Sequence, residues 1–197
     1  MKVLGIVGGM GAGKTTIVSL IKKIKNTFVI SADQIGHQLL LRGNAGYDRV
    51  VDCFGKEILS DSGEIVRKRL GELVFKDSQK LECLNRITHP LIYNEVKRQV
   101  ENCQKEAKFE IIIVDAALLI EIGLTDFVDV VVAVYADDEI RINRLMERDG
   151  LSKEQILERF KAQKKWEQFM SITHTIIDNS SQIETTEKQI KKLIDHL

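Results

Sequence analysis

No apolar run in this sequence approaches the roughly 20 residues that a bilayer-spanning helix needs. Glycine interrupts the opening MKVLGIVGG too soon for a signal peptide, so a cytoplasmic protein is the expectation and a membrane-embedded one is not. Charge of one sign is missing too: Lys plus Arg and Asp plus Glu both number 29. That balance argues against a uniformly basic nucleic-acid binder and leaves room only for a local basic cleft. Cysteine is scarce. Cys53, Cys83 and Cys103 are widely spaced and odd in number, which fits neither a disulfide framework nor a CxxC metal site. Reduced, buried thiols are therefore expected. Proline occurs once, at Pro90, and there is no internal repeat or low-complexity tract. A chain of 197 residues of this kind suits one domain with ample core.

What is present is a series of short apolar runs: Val3–Val7, Phe28–Ile30, Ile111–Val114, Val128–Tyr135 and Thr175–Ile177. Most are continuous and rich in Val and Ile, as in strands of a parallel sheet buried on both faces. Helical stripes lie between them, Ile17, Leu20, Ile21 and Ile24 in one, Ile92, Val96, Val100 and Cys103 in another. Ser152 with Gln155 and Ser181 with Glu184 have capping-box spacing before further helices. Alternating strands and helices predict an open α/β sheet. The interval from Ser31 to Lys108 is far longer than a crossover requires. Its periodicity is helical over 35–41, 50–54, 69–75, 81–87 and 90–107. Ligands of open α/β sheets bind beyond the carboxyl ends of the strands, so an insertion leaving the second strand there is placed to hold a sizeable acceptor. A merely ornamental insertion is the alternative.

Gly8-Gly9-Met10-Gly11-Ala12-Gly13-Lys14-Thr15 satisfies G-x-x-x-x-G-K-[ST] at every fixed position. A predicted strand precedes it and an amphipathic helix follows. Glycines let the backbone wrap around anionic oxygens, and the helix directs its positive end at the same place. Lys14 is expected at the β- and γ-phosphates of a nucleoside triphosphate, and the Thr15 hydroxyl on Mg²⁺.

Three fates of that phosphate are open: hydrolysis, a switch, or transfer. Asp33-Gln34-Ile35-Gly36 spells D-x-x-G, but no N-K-x-D occurs to read guanine, which argues against a GTPase switch. Asp33 directly follows a strand neighbouring the loop, where a carboxylate can orient an acceptor hydroxyl and take its proton. Capping the helix that begins at Gln34 is its structural alternative, and the two are compatible. Asp115 closes the third strand, placed either to hold Mg²⁺ through water or to cap a loop. Further on, Arg141, Arg144 and Arg148 share one helical face, followed by Gly150 and a second capped helix. This helix–turn–helix reads as a lid whose arginines neutralise a transferring phosphoryl group while closure excludes water. A solvated face paired with Glu147 and Asp149 is the alternative.

These residues, in this order, resemble the dephospho-coenzyme A kinase family. The likeness runs from the glycine loop through SADQIGHQLL, CFGKEIL, GEIVRKRLGELVF, LNRITHPLI, DAALLIEIGL and VDVVVAVYA to the arginine-bearing lid and IIDNSSQIE. The resemblance implies a three-layer α/β/α P-loop fold with a five-stranded parallel sheet. It implies a core at 1–33, 108–136 and 167–197, a helical acceptor-binding insertion at about 34–107, and a lid at about 137–166. The implied activity is transfer of the γ-phosphoryl group of ATP, with Mg²⁺, to the ribose 3′-hydroxyl of dephospho-coenzyme A. By the same resemblance ATP lies on Gly11, Ala12, Gly13, Lys14, Thr15 and Thr16, with Asn179 near the adenine. The acceptor lies near Asp33, Arg67, His89, Leu118 and Leu119, and Arg144 and Arg148 lie over the phosphates. No nucleic-acid or membrane partner is implied, and a monomer or weak homo-oligomer is expected. The chain departs from the family pattern at Ser31, where Asp is usual, at Ala117, where Pro is common, and at Thr173-His174, where Ala-Asp is usual. A kinase for another nucleotide or small metabolite, or a nucleotide-gated regulatory protein, are the competing readings.

Overall fold

The computed structural model describes residues 1–163 and 166–197. Strands β1 (Lys2–Val7), β2 (Thr27–Ser31), β3 (Ile111–Asp115), β4 (Val130–Tyr135) and β5 (Thr175–Asp178) form a parallel sheet in the order β2-β3-β1-β4-β5. The continuous apolar runs have a direct cause. Along β1, Val3 and Val7 join the core on one face while Leu4 and Ile6 join the core on the other. Ile112 and Val114 against Ile111 and Ile113 repeat that alternation in β3, as do Val131 and Ala133 against Val132 and Val134 in β4. With both faces covered, neither set of side chains can be polar.

Helix α1 (Lys14–Ile24) and helix α9 (Ile183–Asp195) cover one face through Ile17, Leu20, Ile21, Ile190 and Leu193. Ile24, expected in the buried stripe, is 40% exposed because it lies in the last turn, beyond the edge of that core. The other face is covered by α5 (Ser78–Glu106), whose Ile92, Val96, Val100 and Cys103 are all buried there. The result is a three-layer α/β/α P-loop fold. No described helix is long and apolar enough to cross a membrane.

The insertion after β2 holds α2 (Ala32–Leu39), α3 (Tyr47–Phe54), a 3₁₀ turn at Lys56–Ile58 and α4 (Arg67–Lys76) before α5 begins. The break expected ahead of Pro90 does not occur, and α5 runs through it for 29 residues. Proline removes one ladder bond, but the two halves of the helix serve separate cores that hold it through that point. Cys83, Leu84 and Ile87 pack with Val50, Phe54, Ile58 and Leu70 of the insertion, whereas Ile92 onward packs on the sheet.

Two further expectations fail in the folded chain. Ser181 and Glu184 form no capping box: α9 starts at Ile183 with Gln182 at its cap and no side-chain cap bond. The preceding turn is instead closed by Asp178, whose carboxylate accepts from the Ser180 N–H at 2.8 Å. Nor are all three cysteines free. Cys53 and Cys83 form a disulfide that ties α3 to α5, and Cys103 alone is a free, buried thiol. The two sulfurs meet because α4 folds the intervening chain back, which spacing alone does not reveal.

After β4 come α6 (Asp138–Asp149), the turn at Gly150, α7 (Lys153–Ala162) and α8 (Trp166–Met170). Ser152 and Gln155 make both bonds of the expected capping box. Within the expected lid interval, residues 164 and 165 lie outside the described residues.

The Cys53–Cys83 bond has a sequence separation of 30, and closing a loop of that size contributes about 3–4 kcal/mol in the chain-entropy treatment. Reducing agent should therefore lower the thermal midpoint by about 5–10 °C for a domain of this size. Cys53→Ser should abolish that response, and an equal midpoint with and without reductant would contradict the pairing.

Candidate active site

The chain leaves β1 toward one edge of the sheet and β3 toward the other, so the crevice between diverging connections opens above β1. The glycine loop fills it. Gly13, at φ +98°, has no room for a side chain, because a Cβ there would run into the Asn179 amide. Each of the loop's carbonyls from Gly8 to Gly13 is matched by a donor. Lys14 Nζ donates to the Gly8 carbonyl at 2.9 Å and the Ala12 N–H to that of Gly9 at 3.1 Å. Arg141 Nε donates to Met10 at 3.0 Å. Arg144 Nη1 reaches Gly11 and Ala12, both at 3.4 Å, and Asn179 Nδ2 reaches Ala12 at 2.9 Å. The Gly13 carbonyl accepts from the Ile17 N–H at 3.1 Å. With carbonyls turned away, the N–H groups that open α1 have no partner within the helix and face the cleft.

Two clefts meet at this loop. The larger, about 700 Å³, is lined by Gly11, Gly13, Lys14, Thr15 and Thr16 on one side and Arg144 and Arg148 on the other. The smaller, about 390 Å³, is lined by Gly8, Ala117, Leu118, Glu121 and Gln163 among others. Both share Gly9, Met10 and Lys14.

Lys14 is also the electrostatic centre. Burial lowers its pKa, and the charges of Asp115 and Asp33 oppose that shift. Burial raises the pKa of Asp115, Lys14 pulls it back, and Asp33 adds to the rise. The strand register explains the grouping: Asp115 is level with Ile6 of β1 and Ser31 of β2, and Asp33 follows two residues later. Asp33 is not the cap of α2. Ser31 is, its hydroxyl accepting from the Gln34 N–H at 3.3 Å, so the departure at Ser31 retains a capping side chain and Asp33 stays exposed in the first turn. Thr15, Asp115 and Asp33 offer hard oxygen donors without a cage of three or more His, Cys, Asp or Glu among the described residues. That suits Mg²⁺, which takes one or two protein ligands and completes its shell with phosphate and water.

The remaining candidates are dispersed. Arg148 borders the larger cleft and pairs with Asp149 at 2.7 Å. Arg67 opens α4 and is exposed. His89 is half-buried with its Nε2 lacking a hydrogen-bond partner; burial lowers its pKa against the opposing charge of Glu121, which lines the smaller cleft. Leu118 is 41% exposed beside that cleft, but Leu119 turns into the core, where a Cβ on Gly5 would meet it at 2.9 Å. Leu119 therefore has only backbone to offer a ligand. Asn179 is buried behind the loop, its side chain spent on Ala12 and on the Thr186 hydroxyl, 3.1 Å away. That side chain faces the loop. His174 is likewise absorbed by the fold, its Nδ1 accepting from the Val131 N–H at 3.1 Å. Arg141 as a loop holder and Gln163 as a cleft residue were not legible in the sequence; a glutamine ending a helix carries no signal of its own.

The dephospho-CoA kinase family model matches residues 2–185. The chain belongs to the dephospho-CoA kinase family. Dephospho-CoA kinase of Aquifex aeolicus is 36% identical over 100% of this chain and 98% of its own length. That of Carboxydothermus hydrogenoformans is 34% identical over 98% and 93%. A solved structure of dephospho-CoA kinase from Campylobacter jejuni is 26% identical, with a TM-score of 0.71 over 98% of this chain and 96% of that one. Shikimate kinase from Acinetobacter baumannii, 16% identical with a TM-score of 0.53 over 100% and 92%, shares the fold alone.

The site thus contains a carboxylate, Asp115, whose charge the fold disfavours. Asp115→Asn should raise the thermal midpoint at pH 7. The sign follows from the raised pKa: the penalty on the charged form is full above the folded-state value and vanishes below the unfolded value of about 3.9. The advantage of the variant should fade as pH falls through that interval, and a variant less stable than wild type at pH 7 would contradict the assignment.

Proposed function

We propose that the chain is an ATP-dependent kinase that phosphorylates the ribose 3′-hydroxyl of dephospho-coenzyme A. One observation carries this reading: two clefts meet at Gly9, Met10 and Lys14. A donor in one and an acceptor in the other would bring the γ-phosphorus and the hydroxyl together at that wall. Family membership supports the identity of the acceptor.

ATP occupies the larger cleft, its β- and γ-phosphates on the loop N–H groups and Lys14, with Arg144 and Arg148 over them. The acceptor occupies the smaller cleft, with Leu118 along one wall and His89 and Arg67 on the helical insertion as its outlying contacts. Asp33 accepts a hydrogen bond from the 3′-hydroxyl. As that oxygen bonds to the γ-phosphorus, the bond from phosphorus to the β–γ bridging oxygen breaks, ADP departs and Asp33 takes the proton. Orientation matters more than basicity here, because phosphoryl transfer is mainly positioning and charge stabilisation. Thr15, with Asp115 through water, would hold Mg²⁺, which supplies neutralising charge to the β- and γ-oxygens. The helical pair α6–α7 acts as the lid and the insertion as the acceptor-binding lobe.

A panel of nucleotide and small-metabolite acceptors with ATP, scored by mass, tests this. Dephospho-coenzyme A should gain one phosphoryl group with one ADP formed, and its 3′-deoxy analogue should gain none. Asp33→Asn should lower kcat by about 10²–10⁴-fold with KM for ATP near wild type. Preference for a different acceptor, or an equal loss of ATP binding, would overturn the assignment.

A further inference from the structure

Gln163 is the C-cap of α7, and its side chain turns back to the glycine loop. Its carboxamide oxygen accepts from the Met10 N–H at 3.1 Å and from Arg141 Nη2 at 3.3 Å. Both partners are donors, which assigns the oxygen and not the nitrogen to this position. Arg141 completes the arrangement. Its Nε donates to the Met10 carbonyl at 3.0 Å, its Nη1 pairs with Asp138 at 2.8 Å, and its guanidinium lies 4.0 Å from the centroid of Phe160 on α7. Both polar groups of the Met10 residue are therefore held, the N–H by the end of α7 and the carbonyl by α6.

The place where this happens is informative. Met10 belongs to the wall shared by the two clefts, and Gln163 lines the smaller one beside Gly8, Gly9, Lys14 and Leu118. We infer that Gln163 is a positioning residue: it fastens the end of α7 to the wall between donor and acceptor and so keeps water away from the phosphoryl group in transit. This rests on the kinase reading above. Without the carboxamide, the Met10 N–H and one arm of Arg141 lose their acceptor, and the end of α7 loses its hold on the loop. Water is the competing acceptor whenever the boundary opens.

Gln163→Ala and Gln163→Glu separate the possibilities. Glutamate keeps an oxygen at the same reach, so it retains both accepted bonds. In Gln163→Ala, kcat should fall about tenfold with KM for ATP within about twofold, and ADP formed per phosphorylated acceptor should rise from one to about two or more. In Gln163→Glu that ratio should stay near one. The chain has one tryptophan, Trp166, which packs edge-on against Tyr135 of β4 with ring centroids 5.1 Å apart. Its emission offers a readout that needs no acceptor: the change on ATP addition in wild type should fall by about half or more in the alanine variant.

An unchanged product ratio and unchanged Trp166 response in Gln163→Ala would overturn the inference. So would equal uncoupling by both variants, which would move the role from oxygen to nitrogen. Tighter ATP binding by the alanine variant would also overturn it, since the carboxamide would then be competing with phosphate for the Met10 N–H. Should wild type phosphorylate no acceptor in the panel, the kinase reading fails by itself, and the Trp166 comparison still decides whether Gln163 holds the boundary.

Discussion

A loop that turns its N–H groups toward an anion turns its carbonyls away from it, and those carbonyls must find donors elsewhere. In this protein some donors are local and the others come from distant parts of the chain. Lys14 serves Gly8, Arg141 serves Met10, Arg144 serves Gly11 and Ala12, and Asn179 serves Ala12. Leaving one buried acceptor unmatched costs about 1–3 kcal/mol, so the loop's shape depends on α6 and on the turn after β5 as much as on its own glycines. Asn179 is itself tied in, its carbonyl accepting from Arg144 Nη2 at 2.8 Å. The arginine stripe on α6 consequently divides its work: Arg141 holds the loop, Arg144 holds it and also borders the donor cleft, and Arg148 borders that cleft with a partner at its own helix end.

The same crowding sets the electrostatics. One lysine and two carboxylates come together where three neighbouring strands end, and burial acts against the charged forms of Lys14 and Asp115. Such an arrangement is unfavourable for stability and favourable for binding a polyanion with its counter-cation, since both arrive to complete a charge pattern already in place. Placing the helical insertion directly after β2 puts the start of α2, and with it Asp33, beside this cluster while α5 anchors the insertion to the sheet.

The sheet was legible because burial on both faces leaves a plain imprint: uninterrupted Val and Ile, as in IIIV and VVVAV. The loop was legible because its fixed positions are imposed by backbone geometry. Asp33 could be picked out from its place after a strand, although its capping alternative passed to Ser31 once the helix began two residues earlier than expected. What escaped was tertiary. Pro90 reads as a helix start until α5 is seen to belong to two cores. Cys53 and Cys83 read as free thiols until α4 folds one helix onto the other. Asn179, Arg141 and Gln163 are polar residues of ordinary appearance whose partners are backbone atoms far away in sequence. Backbone partners leave no residue-type signature, so no pattern of side chains could have announced them.

The claim that donors behind the loop govern its grip is tested most directly by calorimetric titration of Asn179→Ala with inorganic tripolyphosphate and with ATP. Tripolyphosphate has no base, so it separates support of the loop from contact with adenine. Loss of the bond to Ala12 should weaken both ligands by about tenfold or more. Unchanged tripolyphosphate binding, whether or not ATP binding falls, would contradict the account.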